Sequence, residues 1–71
     1  MSKFKKKDRV RIVGLSGAPF IEDDEERAWW LSKTGFVSYI SLVPPCVLVL
    51  IDDVDEMIYL NDEDLELIST Q

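Results

Sequence analysis

Fourteen Asp and Glu residues, one cysteine and no histidine are the chain's stock of reactive side chains. General acid–base catalysis at neutral pH most often uses histidine, and no serine or cysteine here has a base visible beside it in sequence. Asp52, Asp53, Asp55 and Glu56 lack the spacing and the central glycine of a calcium loop. They read as a solvated turn. Asn61-Asp62-Glu63-Asp64 reads as a cap, because Asn and Asp accept well from orphan backbone amides. Gly14 and Gly17 are not followed by the lysine of a phosphate loop. Cys46 cannot form an internal disulfide or a multi-cysteine zinc site, and it sits in the apolar run Cys46-Val47-Leu48-Val49-Leu50 as a small core residue. The expectation is a protein with no catalytic residues, no metal and no cofactor.

Two features exceed what a bare scaffold needs. The first is the acidic run Glu22, Asp23, Asp24, Glu25 and Glu26, followed by Trp29 and Trp30. Tryptophan is enriched at interface hot spots, and clustered acids steer a basic partner. These residues are the expected partner-binding site, with the alternative that the tryptophans fold back as a lid. The second is the run Cys46 to Ile51, apolar on both faces. If Val47, Val49 and Ile51 form core, Leu48 and Leu50 need a cover, which the long loop, a partner or a second copy in a homodimer could supply.

The elements that position these residues are short. Arg9-Val10-Arg11-Ile12-Val13 alternates charged and apolar residues with a strand's period of two. Gly14, Gly17 and Pro19 open a long loop. Residues 22–31 have acids at their front, as a helix start would, but no clean apolar stripe, so a long loop with room for a short helix is expected. Runs rich in β-branched, aromatic or aliphatic residues at 36–42, 46–51, 57–60 and 65–68 supply four further strands. Pro44-Pro45 marks a loop. Strands this few and short bury one face best by closing into a small barrel, which also removes exposed edges.

The 71 residues make one domain: a basic N-terminal segment, 1–8, expected to be flexible, and a barrel over 9–69. Net charge is −6, although Lys3, Lys5, Lys6, Lys7, Arg9 and Arg11 crowd the start. That sign disfavours nucleic acid and favours a protein partner with a basic surface. The opening lysines lead into no apolar targeting core, and the longest apolar run is too short to span a bilayer. A cytoplasmic location without membrane contact is the expectation.

The segments Lys7-Asp8-Arg9-Val10-Arg11-Ile12-Val13, Thr34-Gly35-Phe36-Val37 with Ile40, Cys46 to Ile51, and Tyr59-Leu60-Asn61-Asp62-Glu63-Asp64-Leu65-Glu66-Leu67-Ile68 together resemble an SH3-like barrel of bacterial kind. The pattern is similar to small accessory subunits such as the variable chain of ferredoxin–thioredoxin reductase and the stromal E subunit of photosystem I, and to KOW-type domains. The resemblance implies a mostly-β, five-stranded antiparallel SH3-like barrel. It covers the chain outside residues 14–33. The acidic run and paired tryptophans are foreign to those subunits. Trp29-Trp30-Leu31 is locally similar to the double tryptophan of signalling SH3 domains, but four predicted strands follow it here, so proline-rich ligands are not implied.

Three roles fit these observations. The leading one is a non-catalytic protein-interaction module, acting as a small accessory or regulatory subunit. The second is an acidic inhibitor or immunity-type protein that blocks a basic nucleic-acid-binding surface. The third is a KOW-like nucleic-acid or ribosome binder, which would need the cations between Lys3 and Arg11 gathered on one face free of carboxylates.

Overall fold

The computed structural model describes residues 2–69. Elements follow in the order β1 (Arg9–Ile12), α1 (Asp24–Trp30), β2 (Thr34–Ile40), β3 (Val47–Ile51), β4 (Met57–Leu60), a 3-10 turn (Asp62–Asp64) and β5 (Leu65–Ser69). The strands form one antiparallel sheet in the order β4-β3-β2-β1-β5. Among the described residues no ladder joins β4 to β5, so the sheet is open, with these two strands at its edges. Closure into a barrel, favoured by the edge argument, is not present in the ladder.

Each expected strand is found, and the largest boundary difference is in β2. Expected over 36–42, it spans Thr34–Ile40. The Asp52 amide donates to the Thr34 carbonyl, which carries pairing back to the start of the strand. At the far end the Ser41 amide bonds to the Cys46 carbonyl and closes a turn, leaving Leu42 and Val43 exposed. Pro44 and Pro45 in that turn have no N–H to extend the ladder.

Period-two alternation decides which side chains make the core. Val10 and Ile12 of β1, Val47, Val49 and Ile51 of β3, and Ile58 and Leu60 of β4 point inward and are buried. Leu48 and Leu50 lie on the opposite face of β3 and are half-buried. The inner face is covered by Phe4 and by Leu15, Ala18, Ile21 and Trp30 from the chain between β1 and β2. Cys46 is half-buried and packs against the same cluster.

The chain ahead of β1, expected as a flexible basic segment over 1–8, lies against the sheet from residue 2 onward; Met1 is outside the described residues. Phe4 is part of the core. The Lys7 amide donates to the Val37 carbonyl, and the Val37 amide to the Asp8 carbonyl. Asp8 is buried and accepts from the Lys5 amide at 2.9 Å.

At Gly35 there is no room for a side chain between β2 and β3. A Cβ there would collide with the Leu50 carbonyl. Gly35→Ala therefore has to push two central strands apart, and overpacking of that kind costs about 3 kcal/mol. Urea unfolding should show that loss, whereas an alanine at the exposed Glu66 of β5 should leave stability within about 0.5 kcal/mol.

Candidate functional site

The site is built on one carboxylate, Asp64, which is only 2% exposed. Its Oδ1 accepts from the Ser16 amide at 2.9 Å and the Ser16 hydroxyl at 2.7 Å. Its Oδ2 accepts from the Gly17 and Asn61 amides, both at 2.9 Å. The bond from Asn61 is half of a capping box on the 3-10 turn, the local role expected of Asn61-Asp62-Glu63-Asp64. The other bonds reach across the fold to residues 16 and 17. The Asp64 carbonyl also accepts from the Val13 and Gly14 amides, at 2.7 and 3.1 Å.

Burial, the strongest single influence, pushes the Asp64 carboxyl up. The donors on Ser16, Asn61 and Gly17 together outweigh it and hold the group below its ordinary value of 3.8. Gly17 follows from this attachment: a Cβ there would lie 2.8 Å from the Leu60 Cα, so only a glycine lets the loop lie this close to β4.

Beyond Gly17 the loop turns twice, through bonds from the Ala18 amide to the Leu15 carbonyl and from the Ile21 amide to the Ala18 carbonyl. Ile21 points inward, while Phe20 is 77% exposed. Asp23 then caps α1, its Oδ2 accepting from the Glu26 amide at 3.0 Å. Arg27 reaches back to the Ile21 carbonyl. The far end is tied down by the Ser32 amide on the Ile12 carbonyl and the Ile12 amide on the Lys33 carbonyl. Ser32 takes a φ of 78°, the left-handed turn that ends the segment.

The two tryptophans divide their roles. Trp30 is buried in the core cluster, and its Nε1–H has no acceptor among the described residues. Trp29 is 40% exposed. Their rings meet edge to face at 4.8 Å, and the Lys33 ammonium lies 4.8 Å from the Trp29 ring centre.

Between this loop and the sheet runs a groove of about 620 Å³. Phe20 and Trp30 line one side, with Glu26 on the rim; Met57, Ile58 and Tyr59 of β4 line the other. Leu48 continues the apolar wall next to Tyr59, its partner across the β3–β4 ladder. Of the residues expected to bind a partner, Glu26 and Trp30 line this groove, and so does Leu48 of the uncovered face of β3. Asp23 is taken up as the helix cap, while Glu22, Asp24 and Glu25 are exposed on the same short segment. Trp29 is held beside Trp30 but does not line the groove.

Sequence reasoning missed Phe20, Met57, Tyr59, Ser16 and the long-range part played by Asp64. The run Met57-Ile58-Tyr59-Leu60 carried a signal, since its outer pair, Met57 and Tyr59, is large and uncharged where a solvated face would carry polar residues. Ser16 and Asp64 carried none, being far apart in the chain.

Of the six cations at the basic start, Arg9 and Arg11 pair with carboxylates across the sheet, while Lys3, Lys5, Lys6 and Lys7 are exposed. Arg9 makes a bidentate pair with Asp52 at 2.6 and 2.7 Å, and Thr34 adds a hydroxyl bond to the same carboxylate. Bonding to Arg9, opposed by burial and aided by Thr34, keeps Asp52 below its ordinary 3.8. Arg11 pairs with Glu66 at 3.0 Å. The Lys3 amide bonds to Asp62.

Among the described residues no cluster of three or more His, Cys, Asp or Glu side chains is arranged to hold a metal ion, and no helix is long and apolar enough to cross a membrane. No family model matches the chain, and neither a curated protein nor a solved structure is significantly similar to it.

Asp64 has a depressed pKa in the folded state, so its contribution to stability is complete above the unfolded value near 3.8 and is lost as pH falls through the folded value. Asp64→Asn replaces a charged acceptor by one that cannot satisfy the same donors, at a cost of about 2–3 kcal/mol at neutral pH. Denaturant titrations from neutral pH down to about pH 2 should show the variant losing less stability with acid than the parent does.

Proposed function

We propose that this chain is a non-catalytic protein-interaction module of SH3-like barrel type, a small accessory or regulatory subunit whose partner presents a basic surface to the groove beside β4. The observation that carries the proposal is the groove itself. Its walls are largely aromatic and aliphatic, Phe20 among them stands 77% exposed, and the one charged residue lining it is the acidic Glu26. Exposed aromatic side chains beside a pocket are the usual anchors of a binding hot spot. The acids at 22–26 give the on-rate for a basic partner, an effect that salt weakens.

The fold half of the proposal draws on the sheet order β4-β3-β2-β1-β5, the long first connection and the 3-10 turn before the last strand. These agree with the sequence pattern that resembles SH3-like barrels. The KOW-like alternative needs the cations from Lys3 to Arg11 on one face free of carboxylates. The pairing of Arg9 with Asp52 and of Arg11 with Glu66 weighs against it for these two, and the exposed Lys3, Lys5, Lys6 and Lys7 leave it as the second reading.

The test is to purify the tagged protein from its own cells, identify what accompanies it, and measure the kinetics of that pair. Phe20→Ala should leave folding intact and weaken binding by about 2 kcal/mol. Charge reversal at Glu25 and Glu26 should slow association, with most of the difference gone at high salt. Trp30→Ala should act differently, destabilising the fold by about 3–5 kcal/mol. Unchanged affinity for Phe20→Ala together with an unchanged on-rate after charge reversal would place the binding site elsewhere.

A further inference from the structure

The groove does not lie over one face of the sheet. Met57, Ile58 and Tyr59 line it consecutively, yet neighbours in a strand point to opposite faces. A cavity touching three in a row runs along the strand's edge. That edge is open, because β4 pairs only with β3.

The ladder states which backbone groups the edge offers. The Ile51 amide donates to the Glu56 carbonyl, and the register continues through Val49↔Ile58 and Val47↔Leu60. In an antiparallel pair, hydrogen-bonded and non-hydrogen-bonded positions alternate. Glu56, Ile58 and Leu60 therefore face β3, and the N–H and C=O groups of Met57 and Tyr59 face away from it. None of these outward groups has a backbone or side-chain partner among the described residues outside the strand ladders.

Proteins normally blunt such an edge with Lys, Pro, a bulge or an inward charge. The opposite edge strand, β5, carries Glu66, and its ladder to β1 has a register shift between Arg9 and Val10. Met57–Leu60 has no charge and no proline, and its ladder to β3 runs without a shift. The unprotected edge is also the one beside the groove. Carboxylates flank it, Glu56 just before the strand and Glu26 on the rim, and no Lys or Arg lines the groove.

We infer that the groove takes an extended segment of a partner protein, which adds as a strand to β4 by bonding to the backbone of Met57 and Tyr59, sets an apolar side chain against Phe20 and Trp30, and carries Lys or Arg at its ends. Strand addition gives affinity through main-chain bonds and specificity through alternate side-chain pockets. The inference rests on the proposed function above and specifies how its partner is held.

The probe is a synthetic peptide of alternating valine and threonine with two lysines at each end, titrated into the isotope-labelled protein. Three control peptides are used: one with glutamates for the lysines, one N-methylated at alternate amides, and one N-methylated at the amides between. The Met57 and Tyr59 amides should gain protection from hydrogen exchange as the lysine peptide binds. The glutamate peptide should bind at least tenfold more weakly. One of the two methylated peptides should lose binding to the same degree while the other keeps it, because only one edge of an added strand faces β4. Met57→Pro removes one outward donor at the first position of the strand, where proline is tolerated. It should weaken the lysine peptide at least tenfold with the Ile58 and Leu60 ladder amides unchanged.

Binding that leaves Met57 and Tyr59 exchange unaltered, or equal binding by both methylated peptides and the parent, overturns strand addition. So does a stable dimer of the free protein with these amides already protected, since a second copy would then occupy the edge. Failure of the lysine peptide to bind at all also overturns it. In each case the effect of Phe20→Ala on the co-purified partner decides the proposed function separately.

Discussion

Asp64 is the constraint on which the rest of the molecule depends. One buried carboxylate receives four hydrogen bonds, one from its own turn and three from a loop 47 and 48 residues away in sequence. A charge that is 2% exposed is tolerable only when its lone pairs are this fully occupied. The same bonds that satisfy it pin the start of the long loop to the junction of β4 and β5. With Gly17 held against Leu60, Ile21 and Trp30 fall onto the open inner face of the sheet, and Phe20 is left outside. The groove is the space between what Asp64 holds in place and the edge it holds it against.

The strands were legible in the sequence because their signal is local. Arg9 to Ile12 alternates, Val47 to Ile51 is apolar throughout, and the inward set Val47, Val49 and Ile51 follows from period two alone. The 3-10 turn was legible for the same reason, as Asn and Asp announce caps. The short helix was half legible. Its acidic front and the Asp23 cap were visible, but at 7 residues it has no apolar stripe, only Trp30 buried at its end. That Trp30 packs while Trp29 stays 40% exposed depends on where the loop is anchored, which no spacing within 22–31 reveals.

The candidate site was legible only in part, and the reason is physical. Glu26 and Trp30 stood out by type. Phe20, Met57 and Tyr59 did not, because exposed apolar residues are common singly and acquire meaning only when the fold gathers them. The charge pattern misleads in the same way. Six cations crowd residues 3–11, yet Arg9 and Arg11 lie opposite Asp52 and Glu66 once the sheet forms. Exposed pairs of this kind add little stability. Their consequence is electrostatic: they reduce the positive field at the one end of the chain where it was concentrated.

The most direct measurement is the proximity of the Gly17 and Leu60 α-protons by through-space NMR in the parent protein and in Asp64→Asn. The account requires a strong contact in the parent, since the two backbones meet closely at this point. In the variant it should vanish while the Val49–Ile58 ladder contacts persist. A parent without the contact, or a variant that keeps it at full strength, would contradict the claim that Asp64 holds the loop and so forms the groove.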